Sequence, residues 1–440
     1  MSTLLDSALS AVELAERMGA DASSVAVSRS RGVDLEWRDG ALERVTEKTR
    51  QSLSAEIYVN GRYSASSTSD LRPDALARFF EDAVAMTRLL EPDPHRGLPD
   101  SVRYEGRADV DLDLYDESAA HVDSLERRDR VQRLEALVRE SGANLPIVSV
   151  SSNISDGIGE SARVHSNGFI GQRKVSSFSA SAMLTVLDDD GRRPMGWDYT
   201  YRRHQEDMDS LDWIAKKACQ RAAAQLGSGR VQTGKYTVVI DSRAIGRLLG
   251  ALLSPISGSL IQQRRSLWEG RLGTQITSPL ITIFDEPHRP RSLGASLWDS
   301  DGFATRSRPI IEKGVLSTYL IDQYYARKMG VEPTGGDTHD LDFALGTQDL
   351  NGLVTNAQNG LLIERFLGGN SNETTGEISL GCAGRFIRNG QLAEPFAEAN
   401  LAGHFGDIWN GLIALGNDPN PNSPMGCPSC VFENIQLSGT

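Results

Sequence analysis

The feature that most constrains this chain is a pattern that occurs twice: a helix-spaced apolar stripe, a run of alternating apolar and polar residues, then another helix. In residues 3–18, Leu5, Ala8, Val12 and Ala15 recur at helical spacing, and Leu4, Leu9 and Leu14 widen the stripe. Residues 24–68 alternate instead. Val25-Val27, Val33-Leu35-Trp37, Leu42-Val45 and Leu53-Ala55-Ile57-Val59 predict four strands, with a fifth at residues 63–67. Asp39-Gly40 and Asn60-Gly61 supply hairpin turns. Residues 73–90 predict a second helix with Asp74 in its first turn.

The order then recurs. A charged helix is expected at residues 124–141, alternating segments at 147–154, 162–165, 175–186 and 196–201, and a closing helix at 211–226. Asn167-Gly168 and Asp190-Gly191 mark turns, the second at the tip of the acidic run Asp188-Asp189-Asp190. From Tyr236 onward a strand and a short helix lead into mostly strands and turns. The expected class is α+β: helix-flanked antiparallel N-terminal and central sheets, then a strand-rich C-terminal domain. The proline-rich run at 91–100 reads as a linker. The boundaries follow as 1–105, 106–230 and 231–440.

Within the third region, residues 298–335 carry the densest local signals. Asp299-Ser300-Asp301-Gly302 is a turn, residues 309–312 a strand, and Lys313-Gly314 a second turn. Residues 315–321 are expected to return as a strand, and residues 322–329 as a helix closed by Gly330 and Pro333. On residue types alone this stretch is scaffold.

Charge narrows the function classes. The formal net charge is −13, which repels polyphosphate and gives no support to direct nucleic-acid binding. No basic start leads into an apolar run, and no apolar run nears the roughly 18 residues of a membrane span. The expectation is a cytoplasmic protein without membrane contact. Four cysteines in 440 residues make no disulfide framework.

Several motifs approach known chemistry and stop short. Gly229 to Lys235 nearly forms a phosphate loop, but Tyr236 stands where a magnesium-binding hydroxyl is needed, and the order is helix, loop, strand. His339 lies among Asp337, Asp340 and Asp342, a run that a solvated acidic loop explains as well as a divalent ion does. Cys427 and Cys430 have redox or zinc spacing, yet a second ligand pair is missing and a strand follows, so reduced structural thiols are expected. No Gly-x-Ser-x-Gly elbow occurs.

The stretch 298–335, the glycine-punctuated TGEISLGCAG from Thr375, and FIRNGQLAEPFAEANLAGHFGDIWNGLIALGND from Phe386 resemble the TldD/TldE family, also called PmbA or modulator of DNA gyrase. The resemblance spans nearly the whole chain and is strongest from Lys235 to Asp418. It implies a zinc peptidase plan, in which catalytic members carry His-Glu-x-x-x-His on a helix near residues 241–254 and a distant cysteine as a further ligand. Here Leu249, Gly250 and Ser254 fall near that slot and Cys427 near the cysteine. None of the first three is an imidazole or a carboxylate, and zinc chemistry of this type needs both. Ile245, Leu248, Leu249, Leu252 and Leu253 instead form one apolar helical face.

The resemblance therefore implies a TldE/PmbA-type subunit with no catalytic or metal residues of its own. Zinc would reside in a TldD-like partner, and the substrate would be a peptide or small unfolded protein. A homodimer is possible, and the alternative is a self-associating scaffold protein without peptidase activity.

Overall fold

The computed structural model describes residues 3–439. Helix α1 (Leu4–Arg17) starts at a capping box: the Thr3 hydroxyl accepts the Asp6 N–H at 3.1 Å, and the Asp6 carboxylate accepts the Thr3 N–H at 2.9 Å. There follow β1 (Ala22–Arg38), β2 (Ala41–Val59), β3 (Arg62–Thr68), α2 (Pro73–Thr87), α3 (Ser124–Ser141), β4 (Ile147–His165), β5 (Ile170–Val186), β6 (Met195–Arg202) and α4 (Leu211–Ala223). All six strands join in one antiparallel sheet, ordered β3-β2-β1-β4-β5-β6. The strands of the N-terminal and central segments thus meet edge to edge along β1 and β4. Their pairing runs unbroken from Ser24↔His165 to Arg38↔Ser151.

The five strands expected between residues 24 and 68 are three. Between Val27 and Val33 the polar run Ser28–Gly32 stays in the ladder, because the even step from one valine to the other keeps the apolar residues on one face. Val25, Val27, Val33, Leu35 and Trp37 are all buried. Residues 155–161 bridge the two expected pieces of β4 in the same way. Helices α1 and α2 cover one end of this apolar face, over Val25, Val27 and Ile57. Helices α3 and α4 cover the other, over Val33, Leu35 and Leu184.

The remainder contains β7 (Gly234–Ile240), α5 (Gly246–Leu253), α6 (Gly258–Gln262), β8 (Ile283–Asp285), β9 (Arg308–Glu312), β10 (Val315–Leu316), α7 (Gln323–Met329), β11 (Leu341–Phe343), α8 (Leu350–Ala357), β12 (Gly360–Ser371), β13 (Glu377–Arg388), β14 (Gln391–His404), α9 (Phe405–Asn410), β15 (Leu412–Leu415) and β16 (Cys430–Ser438). Strands β7, β12, β13, β14 and β16 close into a ring, because β14 pairs with β16 at Asn400↔Ser438 and Leu401↔Leu437. Closure removes free edges from these strands. Val238, Ile240 and Leu361 pack with α5 and α9. The alternate residues Val239 and Leu362 pack with α8.

The return strand expected at 315–321 stops after Leu316. Beyond it the Thr318 hydroxyl donates to the Pro309 carbonyl at 2.6 Å. Leu320 then pairs with the segment entering α6, its N–H reaching the Ile256 carbonyl at 2.9 Å and its carbonyl taking the Gly258 N–H at 2.7 Å. The proline-rich segment is likewise docked on the last domain. Arg96 lies over the rings of both Tyr63 and Tyr324, and Arg327 donates to the carbonyls of Gly97 (3.0 Å) and Leu98 (2.8 Å).

Residues 293–300 bind the sheet's arginines: Arg203 donates to the Leu293 carbonyl at 2.9 Å, Arg173 to that of Ala295 at 2.9 Å, and Arg163 to that of Ser300. Among the described residues no helix is long and apolar enough to cross a membrane.

Candidate functional site

The segment from β7 into α5 crosses the junction between sheet and ring. Asp241 follows the strand directly, its carbonyl accepts the N–H groups of Ala244 (2.8 Å) and Ile245 (3.0 Å), and α5 comes next. The loop before β16 is tied to this turn. Ser429, fully buried, accepts the Ser242 N–H at 3.0 Å and donates its hydroxyl to Asp418 at 2.7 Å. Burial raises the pKa of Asp418, and the hydrogen bonds from Ser429 oppose that rise. Asn422 in the same loop accepts the Tyr201 N–H at 2.9 Å and donates to the Tyr199 carbonyl at 3.1 Å. It thereby fastens the loop to the outer edge of β6.

Between β6, the start of α5 and β12 lies a cleft of about 420 Å³. Trp197, Tyr199, Arg221, Arg243 and Arg365 are among its walls. Trp197 and Tyr199 stack with ring centroids 5.4 Å apart, and the Arg243 guanidinium sits 5.1 Å from the Trp197 ring. These residues come from four separate parts of the chain, and the sequence reading singled out none of them. The one signal available was Trp-x-Tyr on a strand, which places two aromatic rings on one face.

The positions taken from the family pattern disperse around α5. Leu249 is fully buried in the core. Gly250 has open space where a side chain would stand, and Ser254 is exposed. Cys427 is buried in the loop described above, two positions before the Ser429 anchor. Burial pushes its thiol well above the ordinary range, with Cys430 adding to the shift. All four cysteines are free and buried. As a donor set these positions do not suit zinc: one is a hydrocarbon, one has no side chain, one is a lone exposed hydroxyl, and the thiol favours its protonated form.

His339 is buried against Asp285. Its backbone N–H donates to the Asp285 carboxylate at 2.7 Å, its Nδ1 lies 3.2 Å from the other carboxylate oxygen, and Arg308 binds the same group at 3.2 Å. This arrangement anchors the loop that holds His339.

The Asp299–Gly302 turn forms as expected, with Gly302 at φ +86°. Asp299 is buried and Asp301 half-buried. Asp299 accepts the N–H groups of Asp301 (3.0 Å) and Phe303 (2.9 Å), and Asp301 accepts that of Gln323 (2.8 Å). Burial raises Asp299 to about 7, with Asp301 and Asp337 adding to the shift. Burial raises Asp301 to about 6, with Asp322 and other acids adding to it.

Three family models match in order: PmbA/TldA metallopeptidase domain 1 over residues 24–87, the central domain over 117–226, and the C-terminal domain over 233–439. The metalloprotease PmbA of Escherichia coli O157:H7 is 27% identical over 447 residues, covering 99% of this chain and 96% of that protein. A metalloprotease TldD homolog of Buchnera aphidicola is 24% identical over 297 residues, 59% of this chain and 62% of its own length.

Among solved structures, a Bacteroides thetaiotaomicron protein described as a modulator of DNA gyrase superposes with a TM-score of 0.95 at 36% identity, covering 99% of this chain and 98% of that one. TldE from Thermococcus kodakarensis shares the fold, with a TM-score of 0.87 at 19% identity over 98% of this chain and all of that one.

Proposed function

The chain belongs to the PmbA/TldD metallopeptidase family, and from that premise we propose that it is a non-catalytic subunit of the TldE/PmbA type. It would pair in the cytoplasm with a zinc-bearing TldD-like chain and help to hold peptides or small unfolded proteins for cleavage. The observation that carries this reading is α5. Where a catalytic relative needs two imidazoles and a carboxylate, this helix offers Leu249 in the core, the bare backbone of Gly250, and an exposed Ser254.

The cleft beside α5 supports a substrate-holding role, since it is walled by stacked aromatic rings and guanidinium groups. Such groups grip a peptide without supplying a nucleophile. The likeness to PmbA along nearly the whole length supports the same assignment.

Two measurements test it. The isolated chain is expected to carry far less than one zinc per polypeptide by elemental analysis and to leave unfolded peptides intact. Adding a TldD-like partner is expected to yield hydrolysis exceeding that of the partner alone. Stoichiometric zinc together with hydrolysis by this chain unaided would overturn the proposal.

A further inference from the structure

The cleft at the head of α5 gathers more positive than negative charge among its lining residues. Guanidinium groups of Arg221, Arg243, Arg247 and Arg365 line it, against the carboxylates of Asp241 and Glu364. Those carboxylates are partly engaged elsewhere. Glu364 binds Arg385 at 2.7 Å, and Asp241 accepts the backbone N–H of Arg243 at 2.8 Å. Asp198, buried behind the cleft, holds Arg221 at 2.5 Å and comes only within 3.7 Å of Arg243.

The Arg365 side chain, half-buried, makes no hydrogen bond or ion pair among the described residues, and the neighbouring Glu364 carboxylate offsets only part of its burial. Burial lowers the pKa of both Arg243 and Arg365, and Arg221 adds repulsion at Arg243; Asp198 and Asp241 oppose the fall at Arg243, and Glu364 opposes it at Arg365. Withdrawing a cation from water is unfavourable where counter-charges only partly offset the loss. Here it occurs in a chain whose net charge is −13, so a general excess of basic residues does not explain it.

We propose that this cleft is a carboxylate-binding subsite for extended peptides. Arg243 and Arg365 take the anion, and the half-exposed Trp197 bears against the neighbouring peptide side chain. The guanidinium fork presents paired donors matched to the two oxygens of a carboxylate, and a partly dry cleft strengthens that contact. The stacking of Trp197 on Tyr199, with Arg243 beside the ring, holds one of the two cations in place before the ligand arrives. The carboxylate comes from a peptide's C-terminus or from an Asp or Glu side chain. This inference rests on the peptide-holding role given above and adds the chemical class of what is held.

The test uses the full chain and short alanine–glycine peptides, with binding followed by calorimetry. All three are N-acetylated: one has a free C-terminus and a glutamine, one an amidated end and a glutamate, and one an amidated end and a glutamine. The neutral peptide is expected to bind at least about tenfold more weakly than one of the others. Whichever singly charged peptide keeps its affinity identifies the source of the carboxylate.

Arg365→Ala and Arg243→Ala are each expected to remove that difference, while Arg365→Lys retains part of it. Because the Arg365 side chain has no hydrogen bond or ion pair to lose, Arg365→Ala should leave the Tm unchanged or raised, whereas a structural arginine would lower it. Equal binding of neutral and charged peptides, unchanged binding by Arg365→Ala, or no peptide binding by a chain that still stimulates its partner would each overturn the subsite and leave the subunit role standing. No binding and no stimulation would remove both.

Discussion

Arg127→Leu is expected to destabilise the chain by about 3–5 kcal/mol, the range for breaking one side of a buried ion pair. Arg127 on α3 meets Asp156 on β4 through paired contacts, Nε to Oδ2 at 2.5 Å and Nη2 to Oδ1 at 2.7 Å. Both residues are less than a tenth exposed. Leucine would leave the Asp156 carboxylate facing an apolar layer with its guanidinium partner gone. The joint change Arg127→Met with Asp156→Leu removes both charges and is expected to recover most of the loss, since a packed apolar pair does not pay for desolvation. Denaturant unfolding of the single and joint variants measures this. A single-variant loss below about 1 kcal/mol would show that water reaches the site and screens the pair.

Asp299→Asn is expected to stabilise the chain at neutral and alkaline pH. The asparagine carbonyl can still accept the N–H groups of Asp301 and Phe303 that Asp299 now accepts. What disappears is a charge that the fold disfavours. Asp299 is raised from 3.8 to about 7, so between those values the folded chain holds more protons than the unfolded one. Stability contributed by this group therefore falls as pH rises from about 4 to about 7, and the loss persists above that. Asparagine avoids the loss, giving a gain on the order of 2–4 kcal/mol at pH 8 and little at pH 4. Asp301 titrates close by, so the transition belongs to the pair. Thermal unfolding at both pH values is the measurement. A Tm difference that stays constant with pH would refute the electrostatic origin.

The N-terminal half of the fold was largely legible in the residue pattern, because local rules act there without help from distant residues. The α3 helix falls where expected, from Ser124 to Ser141, since Asp123 caps its start by accepting the Glu126 N–H and Gly142 follows its end. Strand lengths were less visible. A polar run such as Ser28–Gly32 looks like a break until its parity is counted, and only pairing with β2 and β4 keeps it extended.

Ring closure through β14 and β16 was not legible, because the contact rests on Asn400↔Ser438 and Leu401↔Leu437, far apart in the chain. The cleft was hidden for a similar reason. Arg221, Arg243 and Arg365 are scattered among 46 basic residues, and only the folded chain sets them around one space. Leu249 could be placed on a buried face from its spacing, but the route by which the Cys427 loop reaches the turn before α5 could not.

The long seam between β1 and β4 makes the first two segments one mechanical object. A gene divided within the proline-rich connection would produce two fragments, each ending in a strand of 17 or 19 residues stripped of its neighbour. Such raw borders invite pairing with any other chain. For an acidic chain proposed to hold unfolded polypeptides, keeping that border permanently mated within its own body would separate the handler from what it handles.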